Sequence, residues 1–518
     1  MPGADPRGPL LQRRAVSAGP RPDPPGGHAS RHVRRGDAPR RRRDDRRGGG
    51  HGVAGEDARN GRSSRRPDPA SARRGVGRGG RRLHRGRHPT SRRPPPVLTA
   101  AAPVVRVDSS LSSDRRNVGV VTRPRVPSLR TKNRPRPVTS GAAIRVVDLF
   151  AGCGGLSLGV QQAATAAGLR VEVPLAIDFE AEAVAVYAAN FPDAHVVDAS
   201  VETYFDGALG AGLTATETEL RSSISDVHLL MGGPPCQGHS NLNNVTRRND
   251  PKNELYARMG RAAEVLTPNF VLIENVPSVR LDTDGVVQTT VAHLESIGYD
   301  VATATVALHT LGVAQNRKRH VLLASRVRDV SPEEILRKLT SRTADAKFDL
   351  RWAIGDLVDL VDPTGYDVAP VASADNRARM QYLLDRDLYD LPNDQRPVCH
   401  RDQHSYKSMY GRLNWSGQAQ TITSGFGSIG QGRYMHPDRP RALTAHEAAR
   451  IQGFPDYFSF SAVTRRGSIA TMIGNAVPPA LTRELVAFLL PGFDIDAAEA
   501  AVEGQAAPTA ELEAAAAD

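Results

Sequence analysis

Short apolar runs alternate with helical segments from residue 145 onward, and this alternation is the feature that most constrains the fold. It is typical of a doubly wound α/β protein, in which helices cover both faces of a parallel sheet. Strands are predicted near residues 146–150, 171–177, 195–197, 227–231, 270–273, 301–308 and 320–324. Helices are predicted between them at residues 156–167, 180–190, 255–266 and 285–297.

The remaining parts of the chain have different compositions. An Arg-, Pro- and Gly-rich segment occupies residues 1–140, and the α/β pattern occupies residues 141–325. Residues 326–441 are polar and rich in turn residues, so they predict a separate small domain that is mostly irregular and β. Residues 442–490 contain predicted helices at 445–452 and 481–490 and are expected to pack back on the α/β domain. Residues 491–518 are an acidic, Ala-rich tail.

The positive charge of the chain resides in its N-terminal quarter. Residues 1–140 contain 35 Lys and Arg against 10 Asp and Glu, so the rest of the chain is acidic although the net charge is +12. The first hundred residues have 26 Arg, no Lys and no hydrophobic periodicity, which predicts disorder. Two interpretations stay open: an arm that holds nucleic acid through phosphate contacts, or translation from upstream of the true start near Val118 or Val120.

Cysteine spacing and hydropathy exclude several classes. Cys153, Cys236 and Cys399 form no metal-spaced pair, which disfavours a disulfide framework and a bound metal. No apolar run has membrane-spanning length, and the N-terminus lacks the apolar region of a signal peptide. We therefore expect a cytoplasmic protein with no metal and no membrane partner.

One cysteine occupies a position suited to a nucleophile. Residues 232–237 (GGPPCQ) follow a predicted strand, so Cys236 lies where a buried strand gives way to a rigid loop. Prolines fix φ, glycines allow a ligand to approach the backbone, and strand ends bind substrates in open α/β folds. The strand at 270–273 delivers Glu274 to the same edge.

Three successive strand ends carry residues suited to a nucleoside. Residues 148–155 (DLFAGCGG) predict a strand, a glycine turn and a helix, but their G-x-G-G spacing differs from the dinucleotide fingerprint. The glycines would let a methionine-bearing nucleoside lie against the backbone. Asp178 can accept from ribose hydroxyls, Phe179 can stack on adenine, and Asp198 can accept from the adenine amino group. Each acid alone is more often a helix cap or a solvated residue, but together they favour a ligand site.

Six motifs in order make residues 146–490 similar to the bacterial DNA (cytosine-5)-methyltransferase family. They are residues 148–159 (DLFAGCGGLSLG), 232–240 (GGPPCQGHS), 274–276 (ENV), 315–319 (QNRKR), 441–455 (RALTAHEAARIQGFP) and 474–479 (GNAVPP). The resemblance implies a Rossmann-like, doubly wound, S-adenosylmethionine-dependent methyltransferase sheet. It makes residues 141–325 the catalytic and cofactor-binding domain and residues 326–441 the target-recognition domain.

The resemblance also implies a reaction, methyl transfer from S-adenosyl-L-methionine to C5 of a cytosine flipped out of duplex DNA. C5 is too weak a nucleophile unaided, so the Cys236 thiolate adds at C6 while Glu274 acts as the acid at N3. Arg319, supported by Arg317, is assigned to the charge that develops on O2. These two arginines alternate just before the strand at 320, so both can face the same side.

Further site residues are carried over from the same motifs. The cofactor candidates are Phe150, Gly152, Gly154, Gly155, Leu156, Asp178, Phe179, Asp198, Ala199, Pro234, Asn475 and Val477. The DNA candidates are Gln237, Ser240, Asn241, Arg247 and Lys252 in one loop, and Thr421, Gln431 and Arg433 in a glycine-rich segment. Arg433 and Gln431 would read base edges, and Thr421 would contact a phosphate. Phe150 as plain core, and both loops as ordinary surface loops, are the competing interpretations.

The predicted enzyme is thus a DNA (cytosine-5-)-methyltransferase with double-stranded DNA as its partner. We expect a monomer that is either an orphan methylase or the modification partner of a separately acting restriction endonuclease. An RNA (tRNA) cytosine-5 methyltransferase and an inert DNA-binding regulator remain as alternatives. A zinc deaminase is disfavoured because no suitable His and Cys ligand set occurs.

Overall fold

The computed structural model describes residues 126–235, 254–282, 285–358, 365–401 and 408–493. Seven strands in these residues form one sheet with the order β3-β2-β1-β4-β5-β7-β6. The strands are β1 (Ala143–Leu149), β2 (Arg170–Asp178), β3 (Val196–Asp198), β4 (Leu229–Gly232), β5 (Phe270–Asn275), β6 (Asp300–Ala307) and β7 (Lys318–Ser325). Each lies where the sequence predicted a strand, with ends that differ by at most three residues.

The sheet is mixed, which corrects the prediction of a parallel sheet. Strands β1 to β5 pair in parallel, but β7 is antiparallel to both β5 and β6. Residues 308–317 connect β6 to β7, and their regular structure is a short 3-10 turn (Leu308–Leu311) rather than a helix that could cross the sheet. A parallel pair needs a long crossover, whereas an antiparallel pair does not, so the missing helix between these strands explains the reversal.

Helices cover the sheet and build the C-terminal region. They are α1 (Gly155–Ala166), α2 (Ala181–Asn190), α3 (Val201–Tyr204), α4 (Ala215–Ser223), α5 (Glu254–Leu266), α6 (Val286–Ser296), α7 (Pro332–Thr340), α8 (Leu350–Ile354), α9 (Ala374–Asp385), α10 (Ala445–Ile451), α11 (Arg466–Asn475) and α12 (Ala480–Leu489). Their starts follow local rules. Thr214 and Glu217 form a capping box at α4, and Thr444 and Glu447 form another at α10.

Residues 326–441 differ from the expected mixture of irregular and β structure. Their described part contains α7, α8 and α9 and several 3-10 turns, and its β structure consists of isolated bridges such as Arg412 with Met435. Met380, Leu383 and Tyr410 belong to a small apolar cluster within this region. Leu350 instead belongs to a larger cluster that also contains side chains of α1, α2 and α10.

The two faces of the sheet have separate apolar cores. One contains side chains of β1, β5, α1 and α12, and the other contains side chains of β2, α5 and α6. Helices α1 and α12 approach closely, since a Cβ at Gly159 would lie 2.1 Å from the Pro479 carbonyl oxygen. The Thr482 hydroxyl also donates to the Leu156 carbonyl (2.7 Å). The start of α12 is therefore held against the first turns of α1.

The segment before β1 is fixed to three other parts of the fold, and we name residues 126–137 the N-terminal strap. Leu129 is buried, and its carbonyl accepts from Asp456 N (2.8 Å). Arg130 donates to the Trp352 carbonyl (2.8 Å). Arg134 donates to the backbone carbonyl and the side-chain oxygen of Asn190 at the end of α2. The strap thus connects α2, α8 and the chain that follows α10.

Among the described helices, none combines the length and apolar character needed to cross a membrane.

Candidate active site

Five parallel strands end at one edge of the sheet. The register pairs Asp178 with Asp198, Leu149 with Gly232, and Gly232 with Ile273. The residues that follow β1, β4 and β5 therefore stand side by side. Strand β7 is antiparallel, so it starts at this same edge, with His320 opposite Asn275. All the predicted strand-end residues within the described ranges lie along this edge, as open α/β folds require.

The turn after β1 is held by the Asp178 carboxylate. One oxygen accepts from Gly152 N (2.7 Å) and the other accepts from Glu180 N (2.9 Å). Burial raises the pKa of Asp178, and the two backbone donors oppose that shift. Each carboxylate oxygen has a second lone pair. Asp178 therefore shapes the glycine turn and still has acceptor capacity for a ligand.

The glycines of this turn serve different needs. Gly152 and Gly154 have φ of +54° and +91°, the left-handed region that favours glycine. A Cβ at Gly154 would lie 2.5 Å from the Phe191 ring, and one at Gly155 would lie 2.3 Å from the Val477 carbonyl oxygen. Nothing lies within 4 Å of the corresponding position at Gly152. Open space at Gly152 is what a ligand against this backbone would need.

The predicted cofactor residues differ in how exposed their side chains are. Phe179 is 58% exposed, which is unusual for a large apolar side chain and leaves a ring face accessible. Asp198 and Asn475 are exposed, and Phe150 and Ala199 are half-buried. Leu156 and Val477 are buried in the core beneath the turn. The chain thus offers an aromatic face, carboxylate acceptors and an open glycine turn, which fit an adenine nucleoside.

A carboxylate and a guanidinium meet where β5 ends and β7 begins. Arg319 Nε lies 2.5 Å from Glu274 Oε1, and both side chains are largely buried. Glu274 Oε1 has no hydrogen-bond partner, so the contact is an ion pair whose N–H does not point at the oxygen. The other Glu274 oxygen faces Gly233, whose added Cβ would lie 3.2 Å from it and 3.8 Å from a Val477 methyl group. The pair therefore adjoins both the loop after β4 and the cofactor edge.

The described part of the loop after β4, residues 233–235, is hydrogen-bonded to the end of β5. Asn275 Nδ2 donates to the Pro234 carbonyl (3.2 Å), and Pro234 is buried. The predicted nucleophile Cys236 and the DNA candidates Gln237, Ser240, Asn241, Arg247 and Lys252 lie outside the described residues. Their roles remain predictions.

Arg317 is buried, and its guanidinium binds backbone carbonyls of two other segments. Its Nη1 donates to the carbonyls of Ile422 (2.9 Å) and Gly474 (3.3 Å). Burial, and secondarily the Arg319 charge, hold the pKa of Arg317 well below its usual range, while Glu274 opposes the shift. It joins the glycine-rich region to the end of α11, so its support of Arg319 is indirect.

The structure separates the three recognition candidates. Thr421 is half-buried and its hydroxyl donates to the Asn316 carbonyl (3.2 Å). Gln431 is exposed and folds over Gly425. Arg433 donates to the Tyr389 and Arg412 carbonyls and pairs with Asp390. Base reading by Arg433 stays a prediction, and it would use the remaining N–H groups or exchange these partners.

Sequence reasoning missed several buried polar residues beside the site. Asp148 is fully buried, and burial raises its pKa to about 7 although Ser157 donates to it (2.6 Å). Gln315 and Gln452 bond to each other inside the protein. The only sequence signal was their occurrence within the QNRKR and RALT motifs, which does not reveal partners.

The open seven-stranded α/β sheet, with a candidate ligand edge at its strand ends, has the Rossmann-like fold. The sequence model of the C-5 cytosine-specific DNA methylase family matches residues 144–489. The chain is 42% identical to the Type II methyltransferase M1.BsuMI of Bacillus subtilis, over 68% of this chain and 82% of that protein. It is 28% identical to the Type II methyltransferase M.DdeI of Desulfomicrobium norvegicum, over 66% of this chain and 87% of that one.

More distant matches include a plant protein and a solved structure. DNA (cytosine-5)-methyltransferase 3 of Arabidopsis thaliana is 26% identical over 67% of this chain, which spans only 31% of that protein. The crystal structure of S. pombe Dnmt2 methyltransferase has a TM-score of 0.48 and 16% identity, over 68% of this chain and 99% of that one. On the family match and the Bacillus relative, this chain belongs to the C-5 cytosine-specific DNA methylases and is a DNA (cytosine-5-)-methyltransferase.

Proposed function

We propose that this enzyme methylates C5 of a cytosine extruded from a specific duplex DNA sequence, with S-adenosyl-L-methionine as donor and a covalent Cys236–C6 adduct. The observation that carries the proposal is the adjacency of β4 and β5. Gly232 pairs with Ile273, so the loop that leads to Cys236 starts beside the Glu274–Arg319 ion pair. We infer that the nucleophile carried by that loop acts on the same base as the acid and the guanidinium.

Three residues are proposed to act at different positions of the cytosine ring. Addition of the Cys236 thiolate to C6 pushes electron density toward N3, C5 and O2. Glu274 serves N3 as a hydrogen-bond donor or acid, and Arg319 faces O2, where negative charge develops. C5 thereby becomes nucleophilic enough to take a methyl group. A water molecule then takes the C5 proton, the electrons of the C–H bond form the C5–C6 double bond, and the thiolate leaves C6 with its electron pair. The proton at N3 returns to Glu274, which restores the aromatic ring and the free enzyme.

The cofactor edge provides the contacts that an adenosyl donor needs. Asp178 has spare acceptor capacity for ribose hydroxyls, and Phe179 presents an accessible ring for adenine. Asp198 is exposed at the end of β3, and Asn475 is exposed two residues before Val477, whose carbonyl packs against Gly155. When bound, S-adenosyl-L-methionine supplies an electrophilic methyl group, and the open turn at Gly152 lets its nucleoside lie against the backbone. A base within a duplex hides C5 and C6 from these groups, so the cytosine must leave the stack.

We further infer that the enzyme is the modification partner of a separately acting restriction endonuclease. The support is its 42% identity to a bacterial protein named as a Type II methyltransferase. Methylation would then protect the same sequence that the nuclease cleaves. An orphan methylase gives the same methylation pattern in cells that contain no cleaving activity for that sequence.

The test uses labelled S-adenosyl-L-methionine with duplex DNA and tRNA offered side by side. We expect label in DNA, none in tRNA, and loss of transfer in Cys236→Ala. Duplexes that carry 5-fluorocytosine should trap a denaturation-resistant complex, because fluorine cannot leave C5 as a proton does. Mapping of methylated bases in genomic DNA from expressing cells gives the target sequence. Transfer to tRNA alone, or unchanged transfer by Cys236→Ala, would refute the proposal.

A further inference from the structure

Two buried glutamines join the glycine-rich region to the segment that flanks the cofactor edge. We name residues 419–424 the recognition segment and residues 473–477 the cofactor-side segment. Gln315 and Gln452 are both fully buried. Gln315 Nε2 donates to Gln452 Oε1 (2.5 Å) and to the Ile451 carbonyl (3.2 Å). Gln315 Oε1 accepts from Ile422 N (3.0 Å) in the recognition segment.

Backbone partners fix the orientation of both amides. The Ile422 N–H only donates, so it requires the carbonyl oxygen of Gln315, and the Gln315 amino group must then face Gln452. The Gln452 amino group donates to the carbonyls of Ile473 and Ala476 in the cofactor-side segment. Carbonyls only accept, which confirms the direction. One line of donors therefore runs from the recognition segment, through both glutamines, to the cofactor-side segment.

The segment that carries Gln315 also reaches the catalytic pair. Arg317 donates to the carbonyl of Ile422, so residues 315 and 317 hold both backbone groups of that one residue. The backbone of residues 314–316 adds direct bonds to the recognition segment, from Asn316 N to the Ala419 carbonyl (2.8 Å) and from Ala419 N to the Ala314 carbonyl (2.9 Å). Two residues after Arg317, Arg319 contacts Glu274. The recognition segment is thus held in register with the catalytic pair.

Close packing also joins the recognition segment to the cofactor-side segment directly. A Cβ at Gly474 would lie 2.1 Å from Ser424 N, so α11 touches the recognition segment backbone to backbone. Three residues further on, the Val477 carbonyl packs against Gly155 in the turn after β1. Movement of either segment must therefore break buried hydrogen bonds or displace the other. Buried donors and acceptors left without partners make such separate movement costly.

We propose that Gln315 and Gln452 are positioning residues that make DNA binding and cofactor binding depend on each other. The inference rests on the proposed function, since it takes the recognition segment to face DNA and the cofactor-side segment to face the methyl donor. Linkage requires reciprocity: DNA tightens cofactor binding by the same factor by which cofactor tightens DNA binding. The glutamine pair is the part of the fold that transmits that factor.

The test measures the coupling factor directly by calorimetry. The Kd of S-adenosylhomocysteine is determined with and without a duplex that carries the methylated sequence found by mapping. In the unmodified chain we expect DNA to lower this Kd by roughly 5- to 150-fold. In Gln315→Met and Gln452→Met the factor should fall toward one, and because the factor is the ratio of two Kd values measured on the same variant, a change in the Kd without DNA does not affect the test. Gln288→Met, at an exposed glutamine of α6, is the matched control and should keep the full factor.

Each result decides the proposal. A factor of one in the unmodified chain, or a full factor in a folded Gln452→Met protein, overturns it. If the methionine variants do not fold, Gln452→Glu keeps the side-chain shape and replaces the donating amino group with oxygen. It should lose coupling, and retention of coupling would be contrary to the proposal. Methyl transfer by the unmodified chain is measured in the same preparation. If the proposed function is wrong, that chain is inactive. If only this inference is wrong, the chain is active but DNA does not change its Kd for the cofactor, or the glutamine variants keep the full factor.

Discussion

Replacement of Gly474 by alanine should displace the recognition segment by a defined contact. The added Cβ would lie 2.1 Å from Ser424 N and 2.4 Å from the Thr423 carbonyl carbon. Ordinary contact distances for such atoms start near about 3.4 Å, so something must move by about 1 Å. Both neighbours are backbone atoms, and no change of side-chain rotamer relieves the clash. The recognition segment, α11 or both must shift.

The magnitude follows from two opposing effects. Overpacking of a close-packed interior costs about 1–3 kcal/mol of unfolding free energy. Alanine in place of glycine within a helix regains up to about 1 kcal/mol. Gly467 provides the matched control, because it is in the same helix α11, is exposed, and has nothing within 4 Å of its Cβ position. Gly467→Ala gains the helix preference without the clash, so the two variants should differ by about 1–3 kcal/mol.

Urea denaturation and steady-state methylation together test this prediction. A displacement of about 1 Å in a positioning segment can cost up to about a hundredfold in rate, so kcat/KM for DNA should fall in Gly474→Ala and stay unchanged in Gly467→Ala. If the two variants match in both unfolding free energy and kcat/KM, the backbone contact is not rigid and the reasoning fails.

Four further outcomes follow from single features. Glu274→Gln should lower kcat by about 10²- to 10⁴-fold without changing the cofactor Kd, and a smaller loss in the labelled-transfer assay would exclude general acid catalysis there. Phe179→Ala should raise the calorimetric Kd of S-adenosyl-L-methionine by about 5- to 150-fold through lost stacking and leave thermal stability unchanged, since Phe179 is 58% exposed. Burial, and secondarily Arg280, lower the pKa of His320 from 6.5 to about 4. As the pH falls from 6.5 to 4, the unfolded chain therefore binds a proton at this residue before the folded chain does, and the free energy of unfolding decreases. His320→Leu should remove roughly 2–3 kcal/mol of that decrease, as measured by urea denaturation at several pH values. A chain that starts at residue 138 lacks the N-terminal strap and should unfold with about 2–5 kcal/mol less free energy than one that starts at residue 118, and equal unfolding curves would show that the strap contributes nothing.

The sequence predicted the elements whose cause is local. Apolar runs bounded by glycine and proline gave all seven strands within a few residues, and the strand ends then placed Asp178 and Glu274 at one edge. The direction of β7 was wrong because it depends on the connection after β6 rather than on the residues of β7 itself. The partners of Arg433 could not be predicted for a similar reason, since Tyr389 and Asp390 lie more than forty residues away in the chain.

Buried polar partners are the part of the site that no residue pattern reveals. A glutamine in a motif predicts neither its burial nor its acceptor, because both depend on segments more than a hundred residues apart, as Gln315 and Gln452 are. The same holds for the strap, whose Arg134 looks like one more arginine of a basic segment until Asn190 is placed beside it. Composition and spacing define what a residue can do, and tertiary contacts decide which of its groups are already used.

The charges at the catalytic edge suggest how the Glu274–Arg319 contact changes when substrate arrives. Two arginines and one glutamate meet there, and Arg317 is committed to the Ile422 and Gly474 carbonyls. In the proposed reaction, Arg319 is therefore the guanidinium that would exchange partners, from Glu274 to a cytosine oxygen. Loss of that ion pair would free the Glu274 carboxyl for N3, so one base would satisfy both groups at once. We propose that the ion pair holds both side chains near these positions before substrate binds, which would limit reorganisation as charge develops on O2.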